Sequence, residues 1–223
     1  MIYNGVKRIF DFSLSLVSLI ILSPLFIIII IILLLTGEYK IFYIQQRIGI
    51  RGEFFNMCKF STMLKDSLNM PGGSITMRKD PRVTRIGHFL RMTKINEFPQ
   101  LFNILIGNMS FVGPRPYLSI GIVFFSEEAQ NTLRLVRPGI TGISSVVFRD
   151  EERYVSQCGM TPIQYYKDYI FPYKSKLEIW YYNNRSFITD FLIIFLTAFK
   201  IIFPKSKLEY RVFKTLPRDP NFN

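Results

Sequence analysis

The sequence predicts an α/β protein in which an N-terminal membrane helix precedes a small mixed α/β domain. Residues 12–35 form an uncharged stretch of 24 residues, long enough to cross the hydrocarbon core of a bilayer. After it, two apolar runs flank a glycine-containing turn, as in a β-hairpin. The last third of the chain carries apolar residues at helical spacing. Together these observations favour a membrane-associated domain of mixed secondary structure.

Composition narrows the choice of partners. Lys and Arg total 28 against 16 Asp and Glu, a net charge of +12, which suits nucleic acid, anionic lipid headgroups or phosphorylated substrates. The apolar segment favours the last two, and aromatic residues at core spacing argue against nucleic acid. The chain has two cysteines, Cys58 and Cys158, and one histidine, His88. This composition indicates neither a zinc site nor a disulfide framework, and it favours a reducing compartment.

The apolar segment is compatible with two topologies. It can span the bilayer, or it can break at Ser23-Pro24 in its middle and return to the same face. Lys7 and Arg8 before it, and the basic excess after it, favour two cytoplasmic flanks, which only the re-entrant topology provides. Because prolines are tolerated in spanning helices, the residues alone leave both topologies open.

Two strands follow, predicted at 40–46 and 53–60 around the turn 49–52. Lys59 on the second strand and Arg47 just after the first are candidate phosphate or headgroup contacts, although charges on a solvated strand edge are common.

A polar segment and a basic helix come next. Residues 65–74, with Pro71-Gly72-Gly73, predict a mobile loop. From Arg85 the chain predicts a mildly amphipathic helix with Phe89 and Met92 on its apolar side. Such a helix could lie on an anionic membrane surface, or it could be an ordinary solvent-exposed surface helix.

The stretch 93–116 is the most distinctive part of the chain. Asn96 is a good N-cap and Pro99 fits a first turn, so we expect a helix from Asn96 to a stop at Gly107. Glu97 lies at its start, where backbone N–H groups favour a carboxylate or a bound phosphate. The predicted buried stripe of this helix consists of Phe98, Leu101, Phe102 and Leu105.

Two loops beyond this helix offer arginines to an anion. Arg115 stands between Pro114 and Pro116, which restrict the backbone on both sides. Its guanidinium is therefore placed for bidentate phosphate binding, or is simply solvated on a rigid turn. Arg137 opens the loop RPGITG, whose backbone N–H groups also suit an anion.

The remainder of the chain predicts one acidic cluster, several helices and a tail. Asp150, Glu151 and Glu152 lie between two arginines, a pattern typical of a surface ion-pair network or of a divalent-cation site. The apolar run 191–199 is too short to span a membrane and predicts a core or interfacial helix. Residues 204–223 predict a polar C-terminal tail.

Several of these pieces form an ordered set of motifs. They are KRIFDF, a Ser-Pro inside an apolar segment, QQRIG, KDPRVTRIG, NEFPQLFN, GNMSFVGPRP and VRPGITG. In this order they resemble the bacterial sugar transferases, the monotopic phosphoglycosyl transferases of the polyprenol-phosphate pathway. The resemblance covers about residues 7–203, and motif order over that length is specific.

The resemblance implies an architecture and a place in the cell. It implies a membrane anchor over residues 1–38, a re-entrant helix broken at Ser23-Pro24, followed by a transferase domain over 39–203 and the tail over 204–223. The domain would rest, with interfacial amphipathic helices, on the cytoplasmic face of the inner membrane. Membrane lipids are then partners, a homodimer is left open, and nucleic acid is excluded.

The resemblance also implies a reaction. A sugar phosphate moves from a nucleotide diphosphate sugar, expected to be a UDP-sugar, to undecaprenyl phosphate, with Mg²⁺ as cofactor and a nucleoside monophosphate as by-product. This step initiates exopolysaccharide, capsule, lipopolysaccharide O-antigen or glycoconjugate synthesis. The residues expected to bind the phosphates or the nucleotide, and to neutralise their charge, are Lys59, Arg82, Arg115 and Arg137.

The family's nucleophile is the Asp of an Asp-Glu pair, which aligns with Asn96-Glu97. An amide is a weak nucleophile and a poor magnesium ligand, so three interpretations follow. Glu97 takes over as nucleophile, with Asp150, Glu151 or Glu152 helping it to bind magnesium. Alternatively the acceptor attacks directly, with Glu97 as base or metal ligand. In the third, the chain is a catalytically impaired homologue that binds prenyl phosphate or scaffolds polysaccharide assembly.

Overall fold

The computed structural model describes residues 2–36, 38–67, 70, 80–157 and 159–222, without the side chains of Ile2, Glu152 and Gln157. Residues 68, 69 and 71–74 of the predicted loop therefore lie outside the described residues, as does Cys158. The strands are β1 (Phe42–Ile48), β2 (Phe54–Phe60), β3 (Ser110–Val112) and β4 (Gly139–Thr141). The helices are α1 (Ile2–Leu35), α2 (Arg85–Met92), α3 (Gln100–Ile106), α4 (Ser119–Ile122), α5 (Glu127–Arg134), α6 (Ile143–Val147), α7 (Glu151–Gln157), α8 (Pro162–Tyr165), α9 (Phe171–Asn184), α10 (Phe187–Ile202) and α11 (Glu209–Val212).

Helix α1 is apolar over most of its length and lies against the domain at both ends. Among the described residues it is the one helix whose length and composition suffice to cross a membrane. Near its start, Lys7 forms an ion pair with Asp190 and donates to the carbonyl oxygen of Val112 at 2.8 Å. Near its end, Leu33 packs in one buried cluster with Phe60. The fold class, a mixed α/β domain with a long apolar N-terminal helix, is confirmed.

The backbone of α1 stays helical through Pro24, and because a proline can bend a helix without ending it, the re-entrant break at Ser23-Pro24 stays a prediction. A proline removes one helical N–H and leaves the carbonyl four residues earlier without its donor. Here that carbonyl belongs to Ile20, and the hydroxyl of Ser23 donates to it at 2.8 Å. The neighbouring serine thus satisfies the backbone group that the proline leaves open.

The strands β1 and β2 form the predicted hairpin. They pair antiparallel from Phe42 opposite Phe60 to Ile48 opposite Phe54, so β1 begins two residues later than expected and extends to Ile48. In the turn, Arg51 and Gly52 both have positive φ, a conformation that favours glycine. The inward face of β2 is buried and forms the floor on which α3 packs.

Helix α3 lies between the hairpin and α1, and its start differs from the expectation. A 3₁₀ turn at Ile95–Glu97 precedes it, and Pro99 occupies the N-cap position. Asn96 is therefore inside the turn and does not cap the helix. Gly107 ends the helix with φ 100° as predicted.

The buried side of α3 also differs from the predicted stripe. Leu101 and Ile104 are buried against β2, whereas Phe102 is 47% exposed and touches Phe26 of α1 edge to face. The helix contacts two elements at once, so its buried face is rotated relative to a simple one-sided pattern. Its polar residues Gln100 and Asn103 are buried as well.

The parallel pair β3–β4 brings the two glycine-rich loops together. The N–H of Gly113 donates to the carbonyl of Thr141 at 2.9 Å, and that of Gly139 donates to the carbonyl of Pro114 at 2.8 Å. A Cβ on Gly139 would lie 2.2 Å from the nitrogen of Gly113. Only glycine allows this backbone approach, and it places Arg115 at the edge of the hairpin.

The main core lies in the C-terminal half, between α6, α9 and α10. The segment predicted as a polar tail belongs to it. Tyr210, Phe213, Leu216 and Phe222 are all buried in this cluster, and Lys200 of α10 pairs with the buried Glu209 at 2.7 Å. Apolar side chains spaced among charged ones within 204–223 give little periodic signal, which explains the difference.

Several helices expose large apolar side chains. Helix α10 buries Ile193 and Leu196 while its other side is exposed, so the short apolar run 191–199 is amphipathic. The exposed set includes Ile20, Ile21, Ile27 and Ile28 on α1, Phe89 and Met92 on α2, Phe102 and Ile106 on α3, and Ile188, Phe191 and Phe195 on α10. Exposed apolar surface of this extent is typical of a protein that contacts lipid or a partner.

Candidate active site

The turn Ile95–Glu97 presents Glu97 at the junction of the hairpin, α3 and the loop after β3. Helix α2 ends at Met92, and Lys94 with φ 62° redirects the chain. The N–H of Glu97 then donates to the carbonyl of Lys94 at 3.0 Å. The residue is buried, and its carboxylate faces β2 and the loop that holds Arg115.

Two cations hold the carboxylate of Glu97. Its Oε1 accepts from Arg115 Nη2 at 2.7 Å and from Lys59 Nζ at 3.3 Å. The Arg115 side chain is 37% exposed and that of Glu97 only 10%. The ion-paired carboxylate therefore lies at the bottom of a site whose arginine remains open to solvent.

The electrostatics of this group are set by burial and by charge. Burial raises the pKa of Glu97, but the charges of Arg115 and Lys59 outweigh it and hold the pKa well below its usual range. Burial lowers the pKa of Lys59 to about 8, although Glu97 opposes this change. Glu97 is consequently ionised at neutral pH, and Lys59 loses its charge near the upper end of the physiological range.

Two more arginines lie within electrostatic reach. Burial, followed by repulsion from Arg115, lowers the pKa of Arg47 to about 10. Arg47 donates to the carbonyl of Pro116 at 3.2 Å, which ties β1 to the Arg115 loop. Burial also lowers the pKa of Arg149, while the charge of Glu97 raises it. The site thus concentrates positive charge around the carboxylate of Glu97, with Asp150 and Glu151 acting on Arg149 and Arg115.

A buried polar group lies behind the Arg115 loop. Glu178 of α9 accepts from Ser144 Oγ at 2.5 Å and from Tyr117 Oη at 3.3 Å. Burial raises the pKa of Glu178 to about 7. Because Tyr117 follows Arg115 by two residues, this group connects the main core to the loop.

Asn96 takes no hydrogen-bonding part in the cluster. It is buried, and its Oδ1 has no hydrogen-bond partner within the described ranges. Of Asn96 and Glu97, only Glu97 forms ion pairs with Lys59 and Arg115.

Arg82 and Arg137, also predicted to bind phosphate, each form a hydrogen bond to a group other than Glu97. Arg82 pairs with Asp80 at 2.6 Å next to the segment 62–64, because Asp80 precedes it by only two residues. Arg137 donates to the carbonyl of Gly107 at 2.9 Å at the end of α3. Free carbonyls at a helix C-terminus attract cations, and Arg137 is the cation that donates to one at the end of α3.

Two of the acidic residues predicted to bind magnesium, Glu97 and Glu151, form ion pairs. In the part of the chain that the structure describes, no group of three Asp, Glu, Cys or His side chains is placed to hold a metal ion. Both carboxylate oxygens of Glu151 accept from Lys174, at 2.8 and 2.9 Å, and Glu97 is held by cations. Mg²⁺ at nucleotide sites is usually bound by one or two carboxylates together with substrate phosphates, so the predicted magnesium site stays a prediction that needs the substrate to complete it.

Sequence reasoning missed four residues of this region: Gln100, Tyr117, Arg149 and Glu178. Gln100 and Glu178 lie on helices where their neighbours predict only core packing. A polar residue in a buried position is the signal available from sequence, and it becomes visible only once the buried face is known.

Comparison with known proteins identifies the family. A family model described as "Bacterial sugar transferase" matches residues 2–204. The chain belongs to the bacterial sugar transferase family. For this sugar transferase, the prediction of family is confirmed.

Three curated relatives illustrate the match. An exopolysaccharide production protein of Sinorhizobium fredii is 31% identical over 86% of this sugar transferase and 83% of the relative. An undecaprenyl-phosphate glucose phosphotransferase of Komagataeibacter xylinus is 37% identical over 63% of the chain and 27% of the relative. An undecaprenyl-phosphate galactose phosphotransferase of Salmonella typhimurium is 32% identical over 86% and 39%. The sugar transferase thus spans well under half the length of two of these three relatives.

Proposed function

We propose that this sugar transferase moves a sugar phosphate from a UDP-sugar to undecaprenyl phosphate on the cytoplasmic face of the inner membrane. The reaction initiates synthesis of a surface polysaccharide or glycoconjugate. Two of the relatives named above are undecaprenyl-phosphate sugar phosphotransferases, for glucose and for galactose. Since their sugars differ, the sugar is a matter for experiment.

The observation that carries the proposal is the carboxylate of Glu97 between Arg115 and Lys59. Phosphoryl transfer depends on positioning and on neutralising charge at the phosphate oxygens. Lys59, Arg115, Arg47 and Arg149 supply positive charge around the carboxylate of Glu97. An incoming diphosphate competes with Glu97 for Arg115 and Lys59, and in doing so frees a carboxylate oxygen.

Glu97 acts as the nucleophile in this scheme. One carboxylate oxygen forms a bond to the phosphorus that carries the sugar. The bond from that phosphorus to the bridging oxygen breaks, and the nucleoside monophosphate leaves with the electron pair. A phosphate oxygen of undecaprenyl phosphate then attacks the same phosphorus and returns the carboxylate of Glu97. The low pKa of Glu97 means that no base is needed to ionise it.

A lipid-linked acceptor, undecaprenyl phosphate, explains why the protein exposes apolar helix surfaces. Undecaprenyl phosphate keeps its chain in the bilayer, so its phosphate must be reached at the membrane surface. Helix α1 packs on α3, which directly follows Glu97 along the chain, and both helices expose apolar side chains such as Ile28 and Ile106. We propose that these surfaces lie in lipid and bring the site to the phosphate.

The test is release of nucleoside monophosphate by purified protein in nanodiscs that contain undecaprenyl phosphate, with magnesium and a panel of UDP-sugars. We expect Glu97→Gln, which keeps the shape of the side chain, to lower turnover by about 10³-fold or more. Glu53→Gln, which changes an exposed carboxylate on the hairpin turn, is the matched control and should retain activity. Sugar phosphate bound to wild-type protein but not to Glu97→Gln would identify the covalent step.

Two outcomes contradict the proposal. Full turnover by Glu97→Gln would exclude Glu97 as nucleophile. The alternative is a catalytically impaired homologue, suggested by Asn96 at the nucleophile position. It is favoured if wild type releases nothing with any sugar while Asn96→Asp becomes active.

A further inference from the structure

Two buried hydrogen-bond donors beside Glu97 have no partner among the residues that the structure describes. They are Nε of Arg47 and Nε2 of Gln100. Gln100 is 2% exposed, so bulk water does not reach it. An unpaired buried donor costs about 1–3 kcal/mol, and native structures rarely keep two together without a reason.

Both residues line one small cavity. Its volume is about 20 Å³, and its polar wall consists of Arg47, Lys59, Gln100 and Arg115. No residue in its lining is acidic. Three cations and an amide line the cavity, and Glu97, which pairs with Lys59 and Arg115, is their one direct carboxylate partner in the described part of the chain, so an excess of positive charge remains for an anion.

The size of the cavity restricts what enters it. A volume of about 20 Å³ holds about one water molecule, which is comparable to a single oxygen atom of a larger group. A tetrahedral phosphate does not fit inside, but one of its oxygens does. The remaining oxygens would face the open side, where Arg115 is 37% exposed.

We propose that Arg47 and Gln100 bind one non-bridging oxygen of the phosphoryl group that reacts at Glu97. This assignment rests on the proposed function and adds two residues that contact the substrate. Arg47 is well placed for it, because its Nη1 already donates to the carbonyl of Pro116 and its guanidinium is held in position. Gln100 follows Glu97 by three residues, so both side chains come from one turn of the chain.

The chemical consequence concerns the transition state. Charge on the equatorial oxygens of the phosphoryl group must be stabilised during transfer. Donors that are buried and held before the substrate arrives need no reorganisation, and loss of one such donor typically lowers kcat by about 10²–10³-fold. Arg47 and Gln100 therefore affect kcat more than KM.

The experiment uses Gln100→Met, which keeps length and removes the amide, and Arg47→Lys, which keeps charge and removes Nε. Arg134→Lys, at an exposed arginine of α5, is the matched control. Full-length proteins in detergent are heated with and without inorganic phosphate, since a ligand of the folded state raises Tm. We expect the phosphate-dependent rise in Tm to be reduced in both variants and retained in the control.

Kinetics give the second readout. In both variants we expect kcat to fall by about 10-fold or more while KM changes by less than about 3-fold, as for a donor that acts in the transition state. A buried water as the sole occupant predicts a lower Tm with an unchanged phosphate-dependent rise. That result, or unchanged kcat in both variants, would overturn the assignment.

The binding assay separates this assignment from the proposed function. If wild type turns over no sugar nucleotide but its phosphate-dependent rise in Tm is lost in Gln100→Met, the cavity binds phosphoryl oxygen and the proposed reaction fails. If Glu97→Gln is inactive while Gln100→Met is fully active, the reaction stands and the cavity assignment fails. Repeating the assay with UDP and with farnesyl phosphate shows whether the donor or the acceptor supplies the oxygen.

Discussion

Replacing Glu178 by Gln should change how the stability of this protein depends on pH. Glu178 is 1% exposed, and burial raises its pKa from 4.5 to about 7. The folded protein therefore keeps a proton on Glu178 at pH values where the unfolded chain has released it. Gln resembles the protonated carboxyl in shape and does not titrate.

The sign and size follow from proton linkage. Below pH 4.5 both states hold the proton, and the stabilisation that it provides is complete. Between pH 4.5 and 7 only the folded state holds it, so the stability of the wild type falls as pH rises. The loss amounts to about 3 kcal/mol, or about 6–12 °C in Tm for a chain of this length. Glu178→Gln does not lose this amount.

The measurement is thermal unfolding in detergent from pH 4.5 to 8, for wild type and Glu178→Gln. We expect the Tm of the variant relative to wild type to increase with pH up to about 7 and to level off above it. Glu53→Gln, an exposed substitution, controls for the loss of one negative charge. Parallel curves for wild type and Glu178→Gln would refute the reasoning, because they would show that Glu178 titrates alike in the folded and unfolded chain.

Two further predictions concern the site and the C-terminal segment. Since burial lowers the pKa of Lys59 to about 8, phosphate binding and turnover should decline above pH 8, and Lys59→Arg should move this decline to higher pH. A pH–rate profile between 7 and 10 tests this, and identical upper limbs would contradict it. Leu216 is 4% exposed, so Leu216→Ala should lower the free energy of unfolding by about 2–5 kcal/mol. Denaturant unfolding measures this, and a change below about 0.5 kcal/mol would mean that 204–223 behaves as the predicted tail.

Local patterns made the elements predictable. The hairpin follows from apolar runs around Gly49–Gly52, and the end of α3 follows from Gly107, whose φ of 100° favours glycine. The apolar N-terminal segment follows from composition alone. These features depend on residues close together in sequence, where short-range sterics and solvation decide the outcome. The order of motifs likewise led to the correct family.

The neighbours of each charged side chain were not predictable in this way. Three arginines next to prolines are equally good candidate anion ligands by sequence: Arg82, Arg115 and Arg137. In the structure, Arg82 pairs with Asp80, Arg137 donates to a carbonyl at the end of α3, and Arg115 pairs with Glu97. Their partners depend on how separate elements pack. A long charged side chain can reach many partners, and only the fold selects one of them.

The sequence by itself therefore determined the apolar anchor segment, the hairpin, the helix that follows Glu97 and the family. Only the tertiary structure decided that 204–223 joins the core and that Lys59, Glu97 and Arg115 meet. Secondary structure is set by local backbone and side-chain preferences. A catalytic cluster is set by contacts between residues far apart in the chain, which arise only when the elements pack together.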